Sequence, residues 1–200
     1  MAVVLKAFTY RSFIDPLLSG VRDTIERKID KGSRVIDIAC GTGSLALLLA
    51  QTADNVTGID LDQHLVSYAA QRAKKKEITN VNFRECDATD LSCYGDDEFD
   101  FAVTSMSVHQ FDPGLAVRVL TEMKRIASKV IIADYNCPLP QGFSGSLAYL
   151  IERMARGDHY RNFSNYMTRG GLGSFLETAG MSVISEEVRG NGVFIITVCD

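Results

Sequence analysis

The sequence predicts an α/β protein: a single domain, built as a three-layer α/β/α sandwich around a seven-stranded, mostly parallel sheet with a reversed last strand. Three observations predict it. Short β-rich runs alternate with helix-length amphipathic stretches between residues 34 and 135, the order that parallel strands and crossover helices produce. A glycine turn, CGTG at 40–43, joins the first of those runs to the helix that follows. The last two runs, 182–188 and 193–199, are separated only by Arg189-Gly190-Asn191-Gly192, a connection tight enough to reverse the chain as an antiparallel hairpin.

The elements follow in order. After Asp15-Pro16, the apolar residues Leu17, Val21, Ile25 and Ile29 recur every four positions and Gly32 supplies a stop, which is an amphipathic helix. RVIDIA (34–39) is a strand, CGTG its turn, and SLALLLAQ the next helix. VTGID (56–60), VNFREC (81–86) and DFAVTSM (100–106) are further strands, with the helix DQHLVSYAAQRAKKK between the first two. Asp112-Pro113 opens a helix that carries Ala116, Val119, Leu120 and Met123 on one face, and KVIIADY (129–135) is a fifth strand. Beyond Tyr135 come a turn-rich loop, a helix with Leu147, Leu150, Ile151 and Met154 on one stripe, a lid-like stretch at 157–171, and a helix carrying Leu172, Phe175, Leu176 and Ala179. The chain divides into an N-terminal helical cap (1–32), a core (33–135), an inserted cover (138–180) and a C-terminal hairpin (181–200).

With 200 residues, 46% of them hydrophobic and 23% charged, the chain has the composition of an ordinary globular domain that buries a real core. A net charge of −4 and the absence of a basic run argue against nucleic acid as a partner. No stretch is apolar over the ~18 residues of a membrane span and no export signal is legible, so no stable membrane anchor is expected. Five cysteines, an odd number with no Cys-x-x-Cys pair, read as reduced thiols of a cytoplasmic protein.

Ligands of open α/β sheets bind at the carboxyl ends of the strands, against the first helix N-terminus. Gly41 and Gly43 lie in that turn, where backbone N–H groups must approach a ligand and positive φ costs glycine little. GTGSLA also satisfies the G-x-G-x-x-G/A pattern, ending at Ala46. Asp60 closes the second strand 19 residues after Gly41, where an acid accepts hydrogen bonds from both ribose hydroxyls. Asp60 could instead cap the following helix, a role for which Asp62 is equally placed. Asp87, after the third strand, suits an adenine amino group, with the Ala88 N–H facing the ring. Asp37, inside the first strand, is unusual for a phosphate turn. With Asp60 and Asp87 it makes a three-acid pocket that favours a cationic adenosine ligand over a pyrophosphate.

VIDIACGTG, VTGIDLD, FRECDATDL and FDFAVTSMSVHQFDP together resemble the successive motifs of class I S-adenosylmethionine-dependent methyltransferases, in particular the small enzymes of the ubiquinone and menaquinone biosynthesis type. The resemblance covers residues 33–135 and implies a Rossmann-like fold. It implies that Asp37, Ala39 and the Gly41–Gly43 backbone hold the methionine end of the cofactor. By the same resemblance Asp60 and Leu61 hold the ribose, Asp87 and Ala88 the adenine, and Ser105 and Met106 form the floor. S-adenosylmethionine would be the cofactor, S-adenosylhomocysteine the product, and a small molecule the methyl acceptor.

His109, just beyond the fourth strand, is the candidate general base, because imidazole titrates near neutral pH. Tyr10 on the N-terminal side and His159, Tyr160 and Asn162 in the cover are the candidate substrate-binding residues. Asp134 and Asn136 do not match the adjacent Asp-Asn and additional Asp of the catechol methyltransferases, so no metal is expected. Cys137 reads as a passive thiol. Two other functions stand beside this one: a nicotinamide-dependent oxidoreductase, which lacks the Tyr-x-x-x-Lys pair, and a non-catalytic cofactor-binding regulatory module. A homodimer is compatible with either.

Overall fold

The computed structural model describes residues 18–200. Seven strands form one sheet: β1 (Arg34–Ile38), β2 (Asn55–Asp60), β3 (Val81–Glu85), β4 (Phe99–Ser105), β5 (Ala127–Tyr135), β6 (Val183–Arg189) and β7 (Phe194–Cys199). Their spatial order is β3-β2-β1-β4-β5-β7-β6. β1 to β5 are mutually parallel, and β7 lies antiparallel between β5 and β6, opposing Val130 to Cys199 and Tyr135 to Phe194. The reversed strand is therefore an inner one, and β6 takes the edge. β6 is largely exposed, and Glu186, Glu187 and Arg189 along it discourage pairing with a further strand.

The order reverses about β1, which has β2 on one side and β4 on the other. Crossover helices leave this point in opposite directions, so a crevice opens at the carboxyl ends of β1 and β4. β1, β2 and β4 are buried along almost their whole lengths because helices cover both faces.

The covering helices begin where the sequence supplies caps. α1, described over 18–26, buries Val21 and Ile25; the buried Ile29 lies beyond its end. α3 (Gln63–Lys75) is capped by Asp62, whose Oδ1 accepts the His64 N–H at 2.8 Å. α4 (Pro113–Ile126) has Asp112 as its cap, accepting from the Gly114 N–H at 3.0 Å, and buries Ala116, Val119, Leu120 and Met123 as its periodicity requires. α2 (Ser44–Leu49) has no side-chain cap, and Gly43 precedes it at φ 73°.

Gly43 has a second constraint, since a Cβ there would lie 2.7 Å from Phe83 Cζ and 2.9 Å from Ala69 Cβ. Gly43→Ala combines left-handed strain of about 1–2 kcal/mol with overpacking of about 1–3 kcal/mol. We expect Tm to fall by roughly 5–15 °C at about 2–4 °C per kcal/mol. Adding Phe83→Leu should restore part of the loss in thermal unfolding, because it removes the ring and leaves the backbone strain.

Two expectations about the segment after β5 fail. The stretch 157–171 is mostly helical, α6 (Gly157–Thr168), with Phe163 and Tyr166 buried. In α5 (Phe143–Ala155) the buried residues are Gly145, Ala148 and Glu152, while Leu150 and Met154 of the expected core stripe are 54% and 71% exposed. The helix turns small residues and one carboxylate inward because α6 and a cluster of polar groups lie beneath it. α7 (Leu172–Thr178) buries Leu172, Phe175 and Leu176 as expected and lies against α4.

Candidate active site

The crevice at the switch point is a cavity of about 640 Å³, lined in sequence order from Leu18 to Val119. Nine of the ten expected cofactor-binding residues line it: Asp37, Ala39, Gly41, Asp60, Leu61, Asp87, Ala88, Ser105 and Met106. Gly43 does not; it lies behind the turn against Phe83 and Ala69.

Local chemistry shapes the turn. The Gly41 N–H donates to Asp60 Oδ2 at 2.7 Å, and the Asp62 N–H donates to Asp60 Oδ1 at 3.0 Å. Asp60 thus ties the glycine turn after β1 to the end of β2, while Asp62 caps α3. Gly41 sits at φ 53°, and a Cβ there would enter open space, so a ligand can approach its backbone closely. Ala39 and Met106, directly after β1 and β4, also have positive φ, 56° and 58°. Left-handed backbone at non-glycine residues costs about 1–3 kcal/mol and gathers at ligand sites. Here it turns both chains outward at the cavity.

Asp37 is 2% exposed and accepts the Ala46 N–H at 3.1 Å. Burial drives its carboxyl upward, the Ala46 N–H opposes this and the Asp60 charge adds to it, leaving the group at about 8. The Cys40 thiol beside it is also pushed far up by burial and by both acids, so it is an unreactive thiol. Asp87 is exposed, and hydrogen bonds from the Thr89 N–H at 2.9 Å and Thr89 Oγ1 at 2.8 Å hold its carboxyl below the usual range. Cys40, Thr42, Ser44, Cys86, Gln110 and Phe111 also line the cavity and were not expected, although each lies inside a motif already singled out.

The expected base is elsewhere. His109, in the 3-10 turn Val108–Gln110, is fully buried and is not part of the cavity lining. Its Nδ1 donates to Asp134 Oδ1 at 2.5 Å, and its Nε2 lies 3.7 Å from Glu152 Oε1. Burial alone would depress this imidazole, but the neighbouring Asp134, their hydrogen bond and Glu152 raise it above its ordinary value. Glu152 is itself held low despite burial, by hydrogen bonds from His159 and Tyr135 and by the charge of His109. The chain turns inward at Val108 and His109 to satisfy these carboxylates, which removes the imidazole from the crevice.

The cover residues engage other partners. His159 Nε2 meets Glu152 Oε2 at 2.6 Å, Tyr160 leans on Phe163, and Asn162 Nδ2 donates to the Gln110 carbonyl at 2.8 Å. No residue of 138–180 lines the cavity among the described residues. α6 instead braces the loop that carries Gln110 and Phe111. Tyr10 lies outside the described residues. No helix among the described residues is long and apolar enough to cross a membrane.

Comparison with known proteins agrees with this fold. Residues 29–180 match the family described as Methyltransferase domain. A ubiquinone biosynthesis O-methyltransferase from Stutzerimonas stutzeri is 26% identical over 156 residues, which cover 76% of this chain; the match spans 66% of that relative's length. A crystal structure of a Pyrococcus horikoshii OT3 protein superposes with a TM-score of 0.70 and 26% identity, covering 96% of this chain and 90% of that one. A SAM-dependent methyltransferase from Aquifex aeolicus shares the fold at a TM-score of 0.66 and 19% identity, over 89% of this chain and 88% of the other. With its doubly wound sheet, its reversed β7 and a sequence match across most of its length, the chain belongs to the methyltransferase domain family.

Proposed function

We propose that this protein is a cytoplasmic S-adenosylmethionine-dependent methyltransferase acting on a small-molecule acceptor. The observation that carries the reading is the convergence of Asp37, Asp60 and Asp87, from the ends of three adjacent strands, on one cavity beside the Gly41 turn. A buried carboxyl held at about 8 is an acid waiting for a cation, and an ammonium group beside Asp37 would supply it. Asp60 has both oxygens oriented by backbone N–H groups and offers its remaining lone pairs to a pair of hydroxyls. The nicotinamide reading fits poorly, since the Gly41 N–H that a pyrophosphate would need is already donated to Asp60 and the buried Asp37 carboxyl lies at the same cavity. Five free cysteines accord with a reducing compartment.

When bound, the cofactor supplies an electrophilic methyl group on a sulfonium, transferred in line to the acceptor. The chain's part is to position and to exclude water. Asp37 and the Gly41 backbone would hold the methionine end and Asp60 the ribose. Leu18 of α1, Phe111 before α4, and Leu115 and Val119 of α4 give part of the lining an apolar character suited to a ring or alkyl acceptor, with Arg22 of α1 beside them. We read His109 as a positioning residue: with Asp134 it holds the 3-10 turn from which Gln110 and Phe111 reach the cavity.

Calorimetric titration with S-adenosylhomocysteine tests the reading, with one site per chain expected and absence of binding overturning it. Asp60→Ala should weaken that binding at least ~10-fold, because it strips a charged acceptor from the ribose and leaves the Gly41 N–H without its partner. An unchanged dissociation constant would refute the ribose role. Methylated product from a panel of phenols, quinols and amines separates an enzyme from a binding module.

A further inference from the structure

Outside the cavity, one cluster of side chains among the described residues has the composition of a ligand set. His109 from the turn after β4, Glu152 from α5 and His159 from α6 each bring one donor atom to a common point, all within 4.8 Å of one another. We propose that these three residues form a divalent transition-metal site, with zinc as its natural probe, that clasps α5 and α6 to the 3-10 turn beside the cavity.

The independent observation is the His109 Nε2 atom. It is buried, aimed into the cluster, and has no hydrogen-bond partner among the described residues. An unmade hydrogen bond at a buried imidazole is costly, so such an atom calls for an explanation. A metal ion supplies one. The opposite ring nitrogen donates to Asp134 Oδ1 at 2.5 Å, and the Asp134 carboxylate is held in turn by the backbone N–H groups of His109 at 3.2 Å and Tyr135 at 2.7 Å. This carboxylate–histidine arrangement fixes the tautomer that presents an Nε2 lone pair, and it is the support that metal-bound histidines ordinarily carry. Glu152 is oriented as well, because Tyr135 Oη donates to its Oε1 at 2.8 Å.

One of the donor pairs already stands close to what an ion needs. Ligands at about 2.0–2.1 Å from a tetrahedral centre stand roughly 3.3–3.5 Å apart. His109 Nε2 and Glu152 Oε1 are 3.7 Å apart, whereas His159 Nε2 is hydrogen-bonded to Glu152 Oε2 at 2.6 Å and must draw back to admit an ion; its side chain is 28% exposed, which gives it the room and marks the route of entry. Two imidazoles and a carboxylate form a borderline nitrogen–oxygen set that suits Zn²⁺ and neighbouring first-row ions rather than Ca²⁺ or Mg²⁺. None of the three lines the cavity, so the ion would be structural. It would tie the segment after β5 to the loop bearing Gln110 and Phe111 by coordination instead of by hydrogen bonds alone.

The test is Zn²⁺ binding to the full chain after chelator treatment, read by equilibrium dialysis, thermal unfolding and X-ray absorption. One equivalent is expected, with a higher Tm and a nitrogen–oxygen shell at about 2.0–2.1 Å. His159→Ala, at a partly exposed position that leaves the core intact, should weaken it at least ~10-fold, and Glu152→Gln should do the same. No bound zinc, affinity unchanged in His159→Ala, or a sulfur shell at about 2.3 Å, which would assign the ion to the cysteines, would each overturn the proposal.

Discussion

Asp37→Asn is expected to stabilise the free protein while destroying its affinity for a cationic cofactor. An aspartate in an unfolded chain titrates near ~3.9. In the folded protein burial holds Asp37 at about 8. Between those values the folded state keeps a proton that the unfolded state has lost, so stability falls as pH rises from about 4 to 8, and the loss is complete above 8. Asparagine carries no such loss. Its side-chain oxygen still accepts the Ala46 N–H that Asp37 Oδ2 accepts at 3.1 Å. The variant should therefore unfold at a higher temperature than the parent at pH 8.5, with the gap shrinking toward pH 5.

Binding runs the other way. A ligand ammonium beside Asp37 favours the ionised carboxyl, so below pH 8 binding releases a proton and tightens as pH rises, by up to about tenfold per unit. Truncating one partner of a buried charge pair costs about 2–5 kcal/mol, so the variant should bind S-adenosylhomocysteine about 10²-fold more weakly and without proton release. Calorimetry in buffers of different ionisation enthalpy reads both. A variant less stable than the parent at pH 8.5 would show that burial does not hold this carboxyl up, and one that binds with the same proton release would show that Asp37 is not the cation's partner.

Much of the fold was legible because the signals were local. Asp112-Pro113 starts α4, and the period of Ala116, Val119, Leu120 and Met123 gives its buried face. The roles of Asp60 and Asp62 separate cleanly: one ties the glycine turn and the other caps α3, as the two positions allowed. What stayed hidden depends on partners far away in sequence. α5 turns Glu152 inward and leaves Leu150 and Met154 outside, against the rule that the apolar face is buried, because its inner neighbours are histidines and a tyrosine. α6 hides two buried aromatics, Phe163 and Tyr166, among polar residues that read as a loop. His109 was correctly placed beyond β4, but no local pattern states whether a side chain on a turn faces the crevice or the core. Asp134, 25 residues later, decides that.

His109→Ala, measured in chelator so that no metal contributes, should cost more stability than activity. In the free protein the imidazole lies between two buried carboxylates, Asp134 and Glu152, and its raised affinity for a proton makes it the cation that balances them. Removing one partner of such a buried set leaves uncompensated charge, at about 3–5 kcal/mol. At about 2–4 °C per kcal/mol that is a fall in Tm of roughly 10 °C. Because the folded pKa is raised, the stabilisation that His109 gives is largest at acidic pH and fades as pH rises through that value, so the gap between parent and variant should narrow in mildly alkaline buffer. Glu152→Gln in the same background should recover part of the loss, since it deletes one of the charges left behind, and the coupling in the double-mutant cycle measures their interaction. Turnover separates the two roles open to this histidine. Loss of a general base lowers kcat by about 10²- to 10⁴-fold, whereas loss of a brace beneath Gln110 and Phe111 should lower it less than about tenfold when assayed well below the variant's Tm. A fall beyond a hundredfold with Tm unchanged would return His109 to the chemistry.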